Sequence, residues 1–215
     1  VKHLKILGVA VVATAALMAF VAAGSAPATV LCSETKTPCP GGQLWPAKTN
    51  FYFNLKTSTV ATLTNTSGGT LASCQAGKFK GEITKAGSGT ETVAASIPHG
   101  ELTWLACNAA TKTEVDGTAE IHQIGGTDNG TVTASGFEVK TTLGLVTCYY
   151  QLGTGAHLGA VIGGKDSVLA VNVVLTSNGE KSGLPCPATV KWTAEYTLIE
   201  PISGGAVTPL YVEPA

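Results

Sequence analysis

Arginine is absent from this 215-residue chain, and all thirteen of its basic residues are lysines. Without a planar guanidinium fork to hold phosphate in bidentate fashion, nucleic-acid binding and phosphoryl transfer are poor fits. Charge is scarce altogether: Asp, Glu, Lys and Arg make up 13% of the chain, against roughly a quarter in an ordinary globular protein. A formal net charge of −1 steers no polyanion from a distance. Aromatic residues stand at 6%, so few rings remain for a binding surface once a core is filled. No Gly-x-Ser-x-Gly occurs, which removes a common nucleophile turn of hydrolases. No Cys-x-x-Cys occurs either, so a zinc knuckle lacks its ligand spacing. Beyond the N-terminal region no segment carries an apolar period of 3.6 over three turns, which argues against a helical domain.

What is present is a 44% hydrophobic chain, too apolar for disorder. It is rich in threonine and carries 26 glycines, the makings of short strands cut by turns. Lys2, His3 and Lys5 precede an apolar run from Ile6 to Ala23, and Ala26-Pro27-Ala28 offers the small residues that signal peptidase reads. The pattern predicts a signal peptide over residues 1–28, cleaved after Ala28, and hence a secreted protein. The alternative is a retained N-terminal membrane anchor, because an 18-residue run is at the lower edge of a bilayer span. Val1 fits a GTG start codon read literally, which points to a bacterium. Removing residues 1–28 leaves 187 residues with 11 lysines against 14 acidic residues, a balance of −3. No Leu-Pro-x-Thr-Gly sorting signal follows, so covalent wall attachment is not expected.

All six cysteines lie beyond the predicted cleavage site. An even count in an exported chain predicts three disulfides. Six cysteines allow fifteen pairings, and their distribution favours sequential closure: Cys32–Cys39, Cys74–Cys107 and Cys148–Cys186. The first staples an irregular N-terminal segment over residues 29–50, ahead of a main domain over 51–215.

Within that domain, apolar and polar residues alternate. Trp192, Ala194, Tyr196 and Leu198 interleave with Thr193, Glu195 and Thr197, the pattern of a strand buried on one face. Glu114, Asp116, Thr118, Glu120 and His122 form the polar face of another strand. Val168–Leu175 is nearly apolar throughout and reads as a strand in the middle of a sandwich. Residues Gly125–Gly130 read as a hairpin connection, with Asn129-Gly130 supplying positive φ. Val132 and Ala134 fall out of phase with Phe137 and Val139, so a β-bulge is expected at Gly136. Ten to twelve such runs between Phe51 and Tyr211 predict an all-β, single-domain antiparallel β-sandwich of immunoglobulin-like or jelly-roll architecture, with a closed β-barrel as the alternative. Immunoglobulin ancestry itself is not supported, since no Tyr-x-Cys occurs and Trp104 almost adjoins Cys107.

Several turn and cysteine motifs carry a resemblance: Val30-Leu31-Cys32 with Thr37-Pro38-Cys39-Pro40, Gly126–Thr131, Leu152-Gly153-Thr154-Gly155, Cys186-Pro187 ahead of Trp192, and Pro209–Glu213. With the alanine-rich leader, they make the chain similar over nearly its whole length to uncharacterised exported, disulfide-bearing all-β proteins of actinobacteria. The resemblance implies export and a β fold. That group has no assigned function, so it implies none here.

Catalytic residues are not expected. A Ser-His-Asp arrangement could be drawn from His99, His122 and His157 with Asp116, Asp128 and Asp166, but each histidine has an ordinary turn or strand-face role. Glu120 and His122, two apart on one strand face, are the weak metal candidates; no metal or cofactor is expected. Binding is the better class, because the apolar face of a pyranose stacks on an exposed ring. Trp45, Tyr52, Tyr149 and Tyr150 are the candidate rings, while Trp104, Trp192 and Tyr196 are assigned to the core. Tyr149 and Tyr150 are neighbours on a strand, so only one of them can face outward. The expectation is a secreted non-catalytic surface or matrix protein that engages carbohydrate, a wall polymer or another surface protein. Nucleic acid and a stable membrane span are not expected. The alternative is a secreted hydrolase with a divergent active site.

Overall fold

A computed structural model describes residues 28–98, 100–113 and 116–215. The predicted leader up to Pro27, together with His99 and Glu114, lies outside the described residues. The chain forms β1 (Thr29–Cys32), β2 (Asn50–Leu55), β3 (Ala61–Asn65), β4 (Thr70–Lys85), β5 (Val93–Ile97) and β6 (Leu102–Cys107). There follow β7 (Ala110–Thr113), β8 (Gly117–Gln123), β9 (Gly130–Ser135), β10 (Glu138–Leu143), β11 (Val146–Gln151) and β12 (Ala156–Ile162). Last come β13 (Val168–Ser177), β14 (Thr189–Glu200), β15 (Ile202–Ser203), β16 (Ala206–Val207) and β17 (Tyr211–Pro214). A 3₁₀ turn at Gly41–Gln43 is the one helical element among the described residues.

The expected all-β, antiparallel architecture is present, and the larger half takes the closed-barrel form. Strands β2, β4, β5, β8, β9, β12, β13 and β14 pair in chain order, and β14 returns to β2 to close an eight-stranded up-and-down barrel. Closure satisfies every edge of that half. Three insertions, namely β3, the β6–β7 segment and the β10–β11 hairpin, build a second half on the far end. The long strands β4, β13 and β14 run through both halves. Their distal portions, with the insertions, give the order β6-β4-β3-β14-β13-β11-β10-β7.

Inward residues of both halves form one continuous apolar core. In the barrel, Phe51, Phe53 and Phe79 meet with ring centroids 6.0–6.3 Å apart. The remaining void there is about 40 Å³ and its lining is wholly apolar. A ligand chamber spans roughly 300–1,000 Å³, so the barrel interior is a packed core. One mouth is covered by the antiparallel β1–β17 ribbon and by Leu31, Trp45 and Leu210, which line the void from above. Gly87 makes this cover possible: it sits at φ 75°, and a Cβ there would lie 1.8 Å from the Thr29 carbonyl oxygen.

Two local expectations change. Val168–Leu175 reads as a strand in the middle of a sandwich, and β13 is indeed an interior strand, between β12 and β14; its side chains alternate, with Val174 58% exposed. Its continuous apolar run reflects propensity on the outer face and burial on the inner one. Gly136, at φ 84°, does not bulge one strand. It ends β9 in the barrel and releases the chain into β10 in the distal half, with Phe137 and Val139 both buried. The β8–β9 connection is a hairpin as expected, but positive φ falls on Gly126 rather than Asn129. A six-residue loop, closed by the Ile124 N–H to the Asn129 carbonyl at 2.9 Å, does not need the tight two-residue turn.

All three sequential disulfides are present: Cys32–Cys39, Cys74–Cys107 and Cys148–Cys186. They fit an oxidising, extracytoplasmic compartment. Among the described residues no helix is long and apolar enough to cross a membrane.

Candidate functional site

Two of the four candidate rings are not available at the surface. Trp45 is 3% exposed and roofs the barrel; an indole following the Cys32–Cys39 loop is the largest apolar body at hand to close the mouth. Tyr150 is fully buried, and burial pushes its phenol up to about 12. It took the inward phase on β11, which left Tyr149 outward. The core assignments of Trp104, Trp192 and Tyr196 agree with the structure.

Tyr149 is half-buried and engaged. Lys140, directly opposite on β10, places its ammonium 5.3 Å from the ring centroid, and Lys181 places its own at 5.8 Å. Lys181 also pairs at 2.8 Å with the buried Glu138 carboxylate, which accepts a second bond from Asn178 Nδ2 at 3.1 Å. Backbone bonds from Asn178 and Gly183 to β11 complete the anchorage of this loop. The cluster therefore clamps the segment that leads to Cys186.

Tyr52 is placed differently. It stands on the outer face of β2, where β14 and β4 flank it, and register sets Glu200 opposite on one side and Lys80 on the other. Glu101 approaches Lys80 at 3.7 Å. Lys78, two residues along β4, holds its ammonium 5.7 Å from the Tyr52 ring centroid. Its hydrogen bond to the Tyr52 phenol, followed by the electrostatics of that group, raises the Lys78 pKa. Tyr52, Lys78, Lys80, Glu101, Thr103 and Glu200 line an open hollow of about 510 Å³. It forms where β4 changes partner from β6 to β5 and the outer surface is left concave.

The next ladder row brings Asn54, Lys78 and Thr103 side by side on β2, β4 and β6. Asn54 Oδ1 and Thr103 Oγ1 are buried and have no hydrogen-bond partner within the protein. Such groups are uncommon, and each one calls for a water or a ligand to satisfy it. The hollow itself thus combines an aromatic ring and both signs of charge, while the two oxygens lie beneath its surface. Of these residues the sequence singled out Tyr52 alone. Asn54, Lys78, Lys80, Glu101, Thr103 and Glu200 carry no local signal, because barrel closure is what gathers them.

The weak metal candidates do not gather further ligands. His122 Nε2 lies 3.7 Å from Glu120 Oε2, but their ladder neighbours are Ala94, Thr131 and Thr133 rather than donors of metal-binding type. No group of three or more His, Cys, Asp or Glu residues suited to a metal occurs among the described residues.

A separate acidic contact secures the lid. Glu213 on β17 is 3% exposed and accepts a 2.8 Å hydrogen bond from Thr37 Oγ1 of the Cys32–Cys39 loop. Burial raises its pKa, the Thr37 bond opposes this, and the nearby Asp128 carboxyl pushes it further up. A raised folded-state pKa means that Glu213 contributes stability below the unfolded-chain value and loses it as pH rises through the folded value. Thermal midpoints should therefore show a component that falls from acidic toward neutral pH. Glu213→Gln keeps the Thr37 contact without the charge, and should flatten that component and raise the neutral-pH midpoint. An unchanged pH profile in this variant would contradict the assignment.

No protein family, curated protein or solved structure matches the chain, so its reading rests on the geometry of its own residues.

Proposed function

We propose that this is a secreted, non-catalytic surface or matrix protein that binds a glycan through the Tyr52 hollow. The observation that carries the reading is the outward Tyr52 ring set in an open hollow among Lys78, Lys80, Glu101 and Glu200. A pyranose offers an apolar face for the ring and hydroxyls for the charged groups around it. The filled barrel favours a surface site over an internal one, and the three disulfides support export. Other surface proteins and wall polymers remain within this class of partner only where they present sugar rings.

Tyr52→Ala should weaken binding to an immobilised glycan array by about threefold to tenfold, as loss of one ring contact implies, while Tyr149→Ala leaves binding unchanged. The reverse outcome would move the site to the Tyr149 face. One observation favours the second reading, a secreted hydrolase: Glu101 and Glu200 line the same hollow, as two carboxylates would in a glycosidase. Release of new reducing ends by the wild type, abolished in Glu200→Gln, would establish it.

A further inference from the structure

The charges in the Tyr52 hollow are unevenly satisfied. Lys80 has Glu101 at 3.7 Å, whereas Lys78 meets the Tyr52 phenol and no carboxylate within 4.0 Å among the described residues. Glu200 is exposed and likewise has no cation within that distance among the described residues. The ladder places Lys78 and Lys80 on the β4 side of Tyr52 and Glu200 on the β14 side. The hollow is therefore polar in sense, cationic on one flank of the ring and anionic on the other.

A neutral sugar stacked on Tyr52 would displace water from the Lys78 ammonium and return no charge to it, which is costly for a group taken out of solvent. A carboxylate at that flank would replace the lost water with a charge-assisted hydrogen bond. A uniformly acidic chain has the opposite fault, because its next carboxylate would face Glu200. The best match bears one acidic sugar on the Lys78 flank and a neutral, hydroxyl-rich or acetamido sugar toward Glu200. We propose that the ligand is an acidic glycan in which uronate residues alternate with neutral ones, with the uronate carboxylate at Lys78. This rests on the glycan reading above and goes beyond it by naming the substrate class.

The test uses the mature protein and three tetrasaccharide probes in calorimetric titration: an alternating glucuronate–N-acetylglucosamine oligomer, oligogalacturonate and cellotetraose. The alternating oligomer should bind about threefold to tenfold more tightly than cellotetraose at low salt, the range of one partly exposed ion pair. The advantage should fade in about 1 M salt, where the screening length is short. Lys78→Met keeps the aliphatic stem of a fully exposed residue and should bring the alternating oligomer down to the cellotetraose level. Glu200→Gln should improve oligogalacturonate selectively. Equal binding of all three probes, or an unaltered preference in Lys78→Met, overturns the acidic-glycan inference and leaves the glycan reading in place. Failure of all three to bind, with the variants folded by circular dichroism, overturns both.

Discussion

Trp192→Ala is expected to destabilise the protein by about 3–5 kcal/mol, the range for removing a buried tryptophan. Trp192 is fully buried near the start of β14, in the portion of that shared strand that pairs with β3 in the distal half. It pairs with Val173 on one side and Leu63 on the other, and its ring centroid lies 5.1 Å from that of Trp104. Alanine would leave a cavity in the core of the distal half, where β4, β13 and β14, shared with the barrel, limit how far the walls can collapse. Urea denaturation with an unchanged m-value would measure the loss. Trp192→Phe is the informative control. The indole Nε1 is buried without a hydrogen-bond partner, so phenylalanine removes an unsatisfied donor as well as volume, and the two effects oppose each other. A cost below about 1 kcal/mol for the alanine variant would mean that the distal core is loosely packed, contrary to the structure.

Removal of the Cys148–Cys186 bond is expected to cost about 4 kcal/mol, since it closes a loop of 38 residues and constrains the unfolded chain accordingly. Cys74–Cys107, with a separation of 33 residues, should cost nearly as much. Cys32–Cys39, spanning only seven residues, should cost about 2 kcal/mol on the same account. Paired Cys→Ala variants, compared by thermal or denaturant unfolding, give the ranking directly. The Cys148–Cys186 loop is also held by Lys181, Asn178 and Gly183, so the folded structure should survive loss of the bond even as the midpoint drops. If the seven-residue loop proved the costliest to open, loop entropy would not be the governing term. The role of the lid, which that loop ties to Glu213 through Thr37, would then dominate.

These two sites were legible to different depths. Trp192 was assigned to the core from the alternation of β14, because period 2 tells which face a residue takes. That it meets Trp104, Leu63 and Val173 there is not legible locally, because register across strands depends on how the sheet closes. The same division runs through the rings. Alternation on β11 required one of Tyr149 and Tyr150 to face inward, but the choice depended on which strand face met the core. Trp45 has no alternating context, so nothing local predicted that it would roof the barrel. Gly136 carried a true signal of broken phase, and its consequence, a chain leaving one half for the other, needed the insertions to be in place.

By itself, the sequence determined an antiparallel all-β chain with three sequential disulfides, little charge and no arginine to grip phosphate. Those properties follow from composition, period and spacing, which act over a few residues or through the entropy of closing a loop. The tertiary structure alone decided that β2 and β14, far apart in the chain, would meet and close a barrel. It likewise set Tyr52 between Glu200 and Lys80 and brought Asn54, Lys78 and Thr103 into one row. The physical reason is that a strand dictates the face of each side chain, while its neighbours on that face belong to other strands and are chosen by the global pairing.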